Sequence, residues 1–155
     1  MSRVRHRLRA PGPQGYLDAP EVQARWLYKL QAAGLPARVV PGPAKFRRRC
    51  WCLRLTLDVE GIGTVKVTIC LPRHRPEAVL VYVTGPMDSK HRYADGALCM
   101  WFPGDLEAQR WTADDGPVLL VGVIKRHLFL EEWWRRTGDW AGHEAPHDPL
   151  GTQPR

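Results

Sequence analysis

The sequence predicts an α+β domain, on three observations. An apolar stripe of helical period, Val22, Trp26, Leu30 and Ala33, stands near the amino terminus. Two segments of strict alternation follow, Trp51 to Val59 and Val65 to Leu71, joined by Glu60-Gly61-Ile62-Gly63. A longer helical stripe, Leu120, Ile124, His127, Leu128 and Glu131, closes the pattern. Strands grouped together between two helices argue for an antiparallel sheet with helices to one side, because a parallel sheet would need a crossover between successive strands.

At 155 residues the chain suffices for one core and is short for two. With 44% apolar and 25% charged residues it has the make-up of a soluble globular protein, and it lacks the apolar run of about 20 residues that a membrane helix requires. The basic opening, Met1-Ser2-Arg3-Val4-Arg5-His6-Arg7-Leu8-Arg9, is not followed by the apolar segment of a secretory signal, so the expected location is the cytoplasm and no membrane partner is expected. Residues 1–15, with Pro11-Gly12-Pro13 and no periodic apolar face, read as a mobile basic arm, 16–147 as the domain and 148–155 as a tail.

The first helix is expected to start at Asp18, with Glu21 three residues later completing a capping box and Leu17 and Val22 forming a staple across it. Gly34 and Pro36 stop it near Ala33, leaving Arg25 and Lys29 on the outward face. Pro41-Gly42-Pro43 is a break. Trp51, Leu53, Leu55, Leu57 and Val59 then point one way, and Cys52, Arg54, Thr56 and Asp58 the other. The glycine-rich turn returns the chain as a hairpin, and Ala78 to Thr84, continuously apolar and rich in β-branched residues, reads as a third, more deeply buried strand of the meander. Beyond an irregular stretch around Trp111, Asp114 or Asp115 can cap the last helix, Pro117 sits harmlessly in its first turn, and Arg135, Arg136 and Gly138 suit its end.

Between the meander and that helix lies His91-Arg92-Tyr93-Ala94-Asp95-Gly96-Ala97-Leu98-Cys99-Met100-Trp101-Phe102-Pro103. Asp95-Gly96 supplies a tight turn, because Gly96 accepts positive φ, and Cys99 follows it closely. A thiol attacks as its thiolate, a form that a cation such as Arg92 or a protonated His91 would favour. The other cysteines, Cys50, Cys52 and Cys70, fall within strands, and all four are expected to be reduced. Cys50 and Cys52 lack the knuckle spacing of a zinc site, His127 reads as a core histidine, and the tail segment Trp140 to His147 reads as wrapping rather than as metal ligands.

This order of elements resembles the ubiquitin-conjugating (UBC) fold: amino-terminal helix, antiparallel meander, catalytic-cysteine loop, carboxyl-terminal helix. His91 to Pro103, with its His-x-Tyr, Asp-Gly and Leu-Cys elements, resembles the active-site segment of the bacterial members of that superfamily, and Glu144-Ala145-Pro146-His147 resembles their ending. Such proteins are encoded in antiphage operons, including cyclic-oligonucleotide signalling (CBASS) and ubiquitin-like conjugation systems. The resemblance implies that Cys99 is the nucleophile that forms a thioester, that His91 is the loop histidine, and that Tyr93 stands where eukaryotic members carry the asparagine that supports the loop or the oxyanion. It implies a transferase that carries an acyl group, the carboxyl terminus of a ubiquitin-like protein or of a cGAS-like nucleotidyltransferase, on Cys99 and passes it to an amine. Asp95, Asp114 and Asp115 are candidates to orient that amine.

No cofactor and no metal are implied. The chain has no nucleotide-binding glycine loop, so any activation of the donor by ATP falls to a separate activating enzyme. Two other classes fit the same residues: a catalytically inactive UBC-like binding module with a structural Cys99, and a basic nucleic-acid-binding protein. The charge bears on the second. Residues 1–49 hold 11 Lys and Arg against 2 Asp and Glu, a local charge of +9, while the rest carries −2. Such asymmetry suits an acidic protein partner as well as nucleic acid, and nucleic acid is the less favoured of the two.

Overall fold

A computed structural model describes residues 17–47, 49–101, 105–106, 108 and 110–143. The expected basic arm, the Glu144 to His147 ending, the tail, and Phe102 and Pro103 lie outside the described residues. The elements are α1 (Pro20–Ala32), β1 (Arg38–Val40), β2 (Cys50–Val59), β3 (Gly63–Pro72), β4 (Leu80–Val83) and α2 (Gly116–Thr137), with short 3₁₀ turns at Ala44–Phe46, Pro76–Ala78 and Ala113–Asp115. The four strands form one antiparallel sheet in the order β1-β2-β3-β4.

The strict alternation of β2 and β3 makes the architecture. Their inward residues, Trp51, Leu53, Leu55, Leu57 and Val59 with Val65, Val67, Ile69 and Leu71, meet Val22, Trp26 and Leu30 of α1 and Leu120, Val121, Ile124 and Leu128 of α2 in one core. Trp26 joins the layers, its ring edge-on to Trp51 at 5.9 Å and to Trp111 at 6.0 Å. Trp111 is only 2% exposed and donates its indole N–H to the Gly116 carbonyl, so the stretch before α2 is anchored although it lacks regular structure.

The opposite sheet face is half covered. Val40, Cys50, Cys52 and Cys70 pack with Phe46, Leu80 and Tyr82. The Pro41–Arg47 connection lies over them so closely that a Cβ on Gly42 would stand 2.5 Å from the Cys52 sulfur. All four cysteines are free thiols, and three are buried here.

Four expectations are corrected. β1 is an additional strand: three residues with one buried side chain, set between Pro36 and Pro41, leave too little alternation to read. β4 is not the deeply buried strand; it begins at Leu80, is an edge, and buries only Val81 fully. The start of α1 has no capping box: Ala19 is the cap residue, Pro20 opens the helix, and the Asp18 carboxylate is taken by Arg73 of the β3 end. The buried stripe of α1 stops at Leu30, with Ala33 exposed. The entry to α2 also differs in detail, since the Asp115 carboxylate accepts the Thr112 N–H and hydroxyl in a capping box around the 3₁₀ turn and does not cap α2 itself. Gly138, at φ +81°, ends α2 as a left-handed cap.

Candidate functional site

Residues 91–99 form a small hairpin built from the sequence up. The Gly96 N–H donates to the Tyr93 carbonyl and the Tyr93 N–H to the Ala97 carbonyl, so Ala94, Asp95 and Gly96 make the loop, with Gly96 at φ +87°. This is the three-residue hairpin loop that requires a residue of positive φ at its third position, and glycine meets that need without strain. The Asp95 carboxylate fixes the bend by accepting the Ala97 N–H at 3.1 Å. Arg92 bridges Leu98, and the Cys99 N–H donates to the His91 carbonyl at 2.9 Å. The eight-residue interval from His91 to Cys99 is therefore a ladder register.

Three ties hold the hairpin to the domain. The Leu98 N–H donates to the Val81 carbonyl, which places the hairpin along the free edge of β4, and Ala97 and Leu98 are buried. Tyr82 donates its hydroxyl to Asp95 at 2.8 Å, and Lys45 lies 3.5 Å from the same oxygen. Burial would raise the Asp95 carboxyl, but the Ala97 amide, Tyr82 and Lys45 hold it below its usual value.

The third tie is a buried ion pair. Arg92 donates Nε–H to Glu131 Oε1 at 2.7 Å and an Nη2 proton to Oε2 at 2.8 Å, with the two side chains 5% and 0% exposed. Its remaining donors reach the Gly96 and Pro86 carbonyls. Arg135 adds a second donor to Glu131 Oε2 and holds Asp88 and the Pro86 carbonyl, and His127 Nε2 approaches Oε1 at 3.4 Å. Burial alone would raise the Glu131 carboxyl, yet Arg92 and His127 bring it down to about 2. A carboxylate so enclosed must stay ionised to satisfy two guanidinium groups.

The predicted site residues come together in two different ways. Tyr93 meets Cys99 through its side chain: the phenol hydrogen-bonds the sulfur. His91 meets Cys99 through its backbone, while its ring, 8% exposed, packs on Trp140 at 4.2 Å and edge-on to His127 at 6.5 Å. Cys99 itself is half-buried. Its S–H is directed at the Trp101 carbonyl 4.0 Å away. Burial pushes its thiol above the ordinary value, and the Tyr93 hydrogen bond opposes that rise. Burial and the neighbouring Cys99 likewise push Tyr93 up, so the phenol remains a proton donor through the neutral range.

One expectation fails here. Arg92 does not activate the thiol, because its guanidinium is bound to Glu131 and to two carbonyls, and the favourable influence on Cys99 comes from a neutral phenol. The residue that sequence reasoning missed is Glu131. It was visible as a member of the α2 stripe, and a carboxylate at a position otherwise reserved for apolar residues is itself the signal of a buried cationic partner. Among the described residues no group of three or more His, Cys, Asp or Glu side chains is arranged to hold a metal ion. No helix among them is long and apolar enough to cross a membrane.

The arrangement can present one reachable sulfur beside a permanent hydrogen-bond donor, on a loop held by a charged clamp. Compared with protein-family models, with curated proteins and with solved structures, the chain has no match.

Proposed function

We propose that the chain is a UBC-like acyl carrier of the cytoplasm that receives the carboxyl terminus of a protein donor as a thioester on Cys99 and passes it to an amine. The observation that carries this reading is the Tyr93 phenol on the Cys99 sulfur, at the only half-buried thiol of four, the other three being enclosed within the sheet. The thiolate adds to the donor's thioester carbonyl, the tetrahedral oxyanion collapses, and the donor's own thiolate departs. An amine nitrogen then adds to the new thioester, Cys99 leaves as thiolate, and the amine's proton passes to solvent. Tyr93 suits both steps, since a phenol that stays protonated can stabilise the thiolate as nucleophile and as leaving group, or turn to the oxyanion between them. His91 is a positioning residue in this account, fixing the Cys99 amide through its carbonyl. The assignment to antiphage defence, with a ubiquitin-like protein or a cGAS-like nucleotidyltransferase as donor, rests on the resemblance of residues 91–103.

The raised Cys99 thiol favours a second reading, an inactive UBC-like module that uses the same surface only for docking. One experiment separates the two. The chain is incubated with candidate donors and their activating enzyme and resolved on a non-reducing gel. An adduct cleaved by thiols, absent from Cys99→Ala and converted by Cys99→Ser to a thiol-resistant oxyester, is expected. An adduct that persists in Cys99→Ala overturns the assignment of Cys99. A full set of donors that bind without forming any adduct leaves the docking module.

A further inference from the structure

One face of α2 faces away from the core and is apolar. Val118, Leu119, Phe129 and Trp133 are 44, 53, 40 and 44% exposed, respectively. At 100° per residue, Val118, Gly122, Phe129 and Trp133 fall within a 60° arc, opposite the buried Leu120, Ile124, His127 and Glu131, and span about 22 Å of helix. Phe129 and Trp133 lie one turn apart with rings 29° from parallel and centroids 6.5 Å apart, a continuous aromatic plate. Gly122 leaves the helix backbone bare between this plate and Val118, since nothing lies within 4 Å of where its Cβ would be. Single exposed apolar residues are ordinary; four in one line, ending in a Phe–Trp pair, form a recognition surface.

The charges on this face choose the occupant. Lys125 and Arg126, both exposed, flank the seam midway between Gly122 and Phe129, and neither has an ion-pair partner among the described residues. A second copy laid antiparallel on the seam would bring these cations against their own counterparts, the like-charge contact that opposes association. A segment with carboxylates beside its apolar anchors would pair them instead. From this complementarity we infer that the outer face of α2 is a docking site for an acidic amphipathic helix of a partner protein, whose apolar side chains lie on Phe129, Trp133 and Val118 and whose carboxylates meet Lys125 and Arg126. The site is separate from the Cys99 hairpin, which α2 holds from its other side through Glu131. It does not depend on whether Cys99 carries an acyl group.

The test uses the full chain and two synthetic helical peptides of one length, both with leucine at alternating third and fourth positions, one with glutamate and one with lysine beside the leucines. Labelled peptide is titrated by fluorescence anisotropy, and Cys99 alkylation by iodoacetamide is followed in parallel as the check on the site hairpin. The acidic peptide is expected to bind, with affinity falling tenfold or more in Phe129→Ala/Trp133→Ala and in Lys125→Glu/Arg126→Glu, and falling with salt only in the parent chain. Both variants alter exposed positions, so melting temperature and alkylation rate are expected to match the parent. Equal binding of the two peptides overturns the charge argument. Sedimentation of the chain as a dimer that Phe129→Ala/Trp133→Ala dissolves overturns it in favour of a second copy, and uptake by anionic phospholipid vesicles without binding of the acidic peptide overturns it in favour of a lipid surface.

Discussion

At the scale of single residues, the chemistry of this protein rests on the contrast between Cys99 and the other thiols. Cys52 and Cys70 face each other across β2 and β3 and share a hydrogen bond that lowers one thiol and, with burial, raises the other. That is a packed pair, inert by enclosure. Cys99 is distinguished by access and by Tyr93, and by no cation. Removing the phenol's hydrogen bond leaves only burial acting on the thiol, so Tyr93→Phe moves its ionisation upward. Alkylation by iodoacetamide across pH is expected to show a midpoint displaced to higher pH in Tyr93→Phe, with several-fold slower reaction at neutral pH and an unchanged plateau rate at high pH. A displacement downward would mean that the phenol acts on the sulfur as a cover and not as a donor.

At the scale of elements, the hairpin of residues 91–99 is too short to be stable alone and borrows its order from β4 and α2. Its energetic centre is the Arg92–Glu131 pair, whose two parallel hydrogen bonds are the bidentate geometry that arginine makes with a carboxylate. Replacing Glu131 by glutamine leaves a buried guanidinium with a neutral acceptor, and breaking such a pair costs about 3 to 5 kcal/mol. Glu131→Gln is therefore expected to lower the melting temperature, and amide hydrogen exchange at Ala97, Leu98 and Cys99 is expected to accelerate more than exchange in β2 and β3. Uniform acceleration across the chain would show that Glu131 supports the whole core equally and has no special hold on the hairpin.

At the scale of the whole molecule, stability toward acid follows from the same carboxylate. The folded value of Glu131 is about 2, against an ordinary value of 4.5. A group whose folded value is depressed contributes stability that is complete above its unfolded value and is lost as pH falls through its folded value. Denaturant midpoints are thus expected to hold steady from neutrality down to about 4.5 and to fall between there and about 2, with the slope of that fall reduced in Glu131→Gln. An equally steep acid transition in the variant would assign the effect to other carboxylates.

What the sequence by itself determined is whatever has a period. The alternation of Trp51 to Val59 and Val65 to Leu71, the glycine turn between them, and the stripes of α1 and α2 each bury a face that only one element type can bury, so the α+β order and the antiparallel hairpin were legible. Gly96 beside Asp95 likewise announced the turn before Cys99, because few residues accept that φ. Tertiary structure decided everything that depends on partners distant in the chain. β1 exists because β2 offers it an edge, and β4 is a border because no further full strand covers it. Arg92, read as a cation for the thiol, was claimed by Glu131, 39 residues away, since a buried carboxylate outcompetes a neutral sulfur for a guanidinium. Tyr93 reached Cys99 because the hairpin ladder folds residue 93 back toward residue 99, a proximity set by hydrogen-bond register, which no spacing in the sequence states outright.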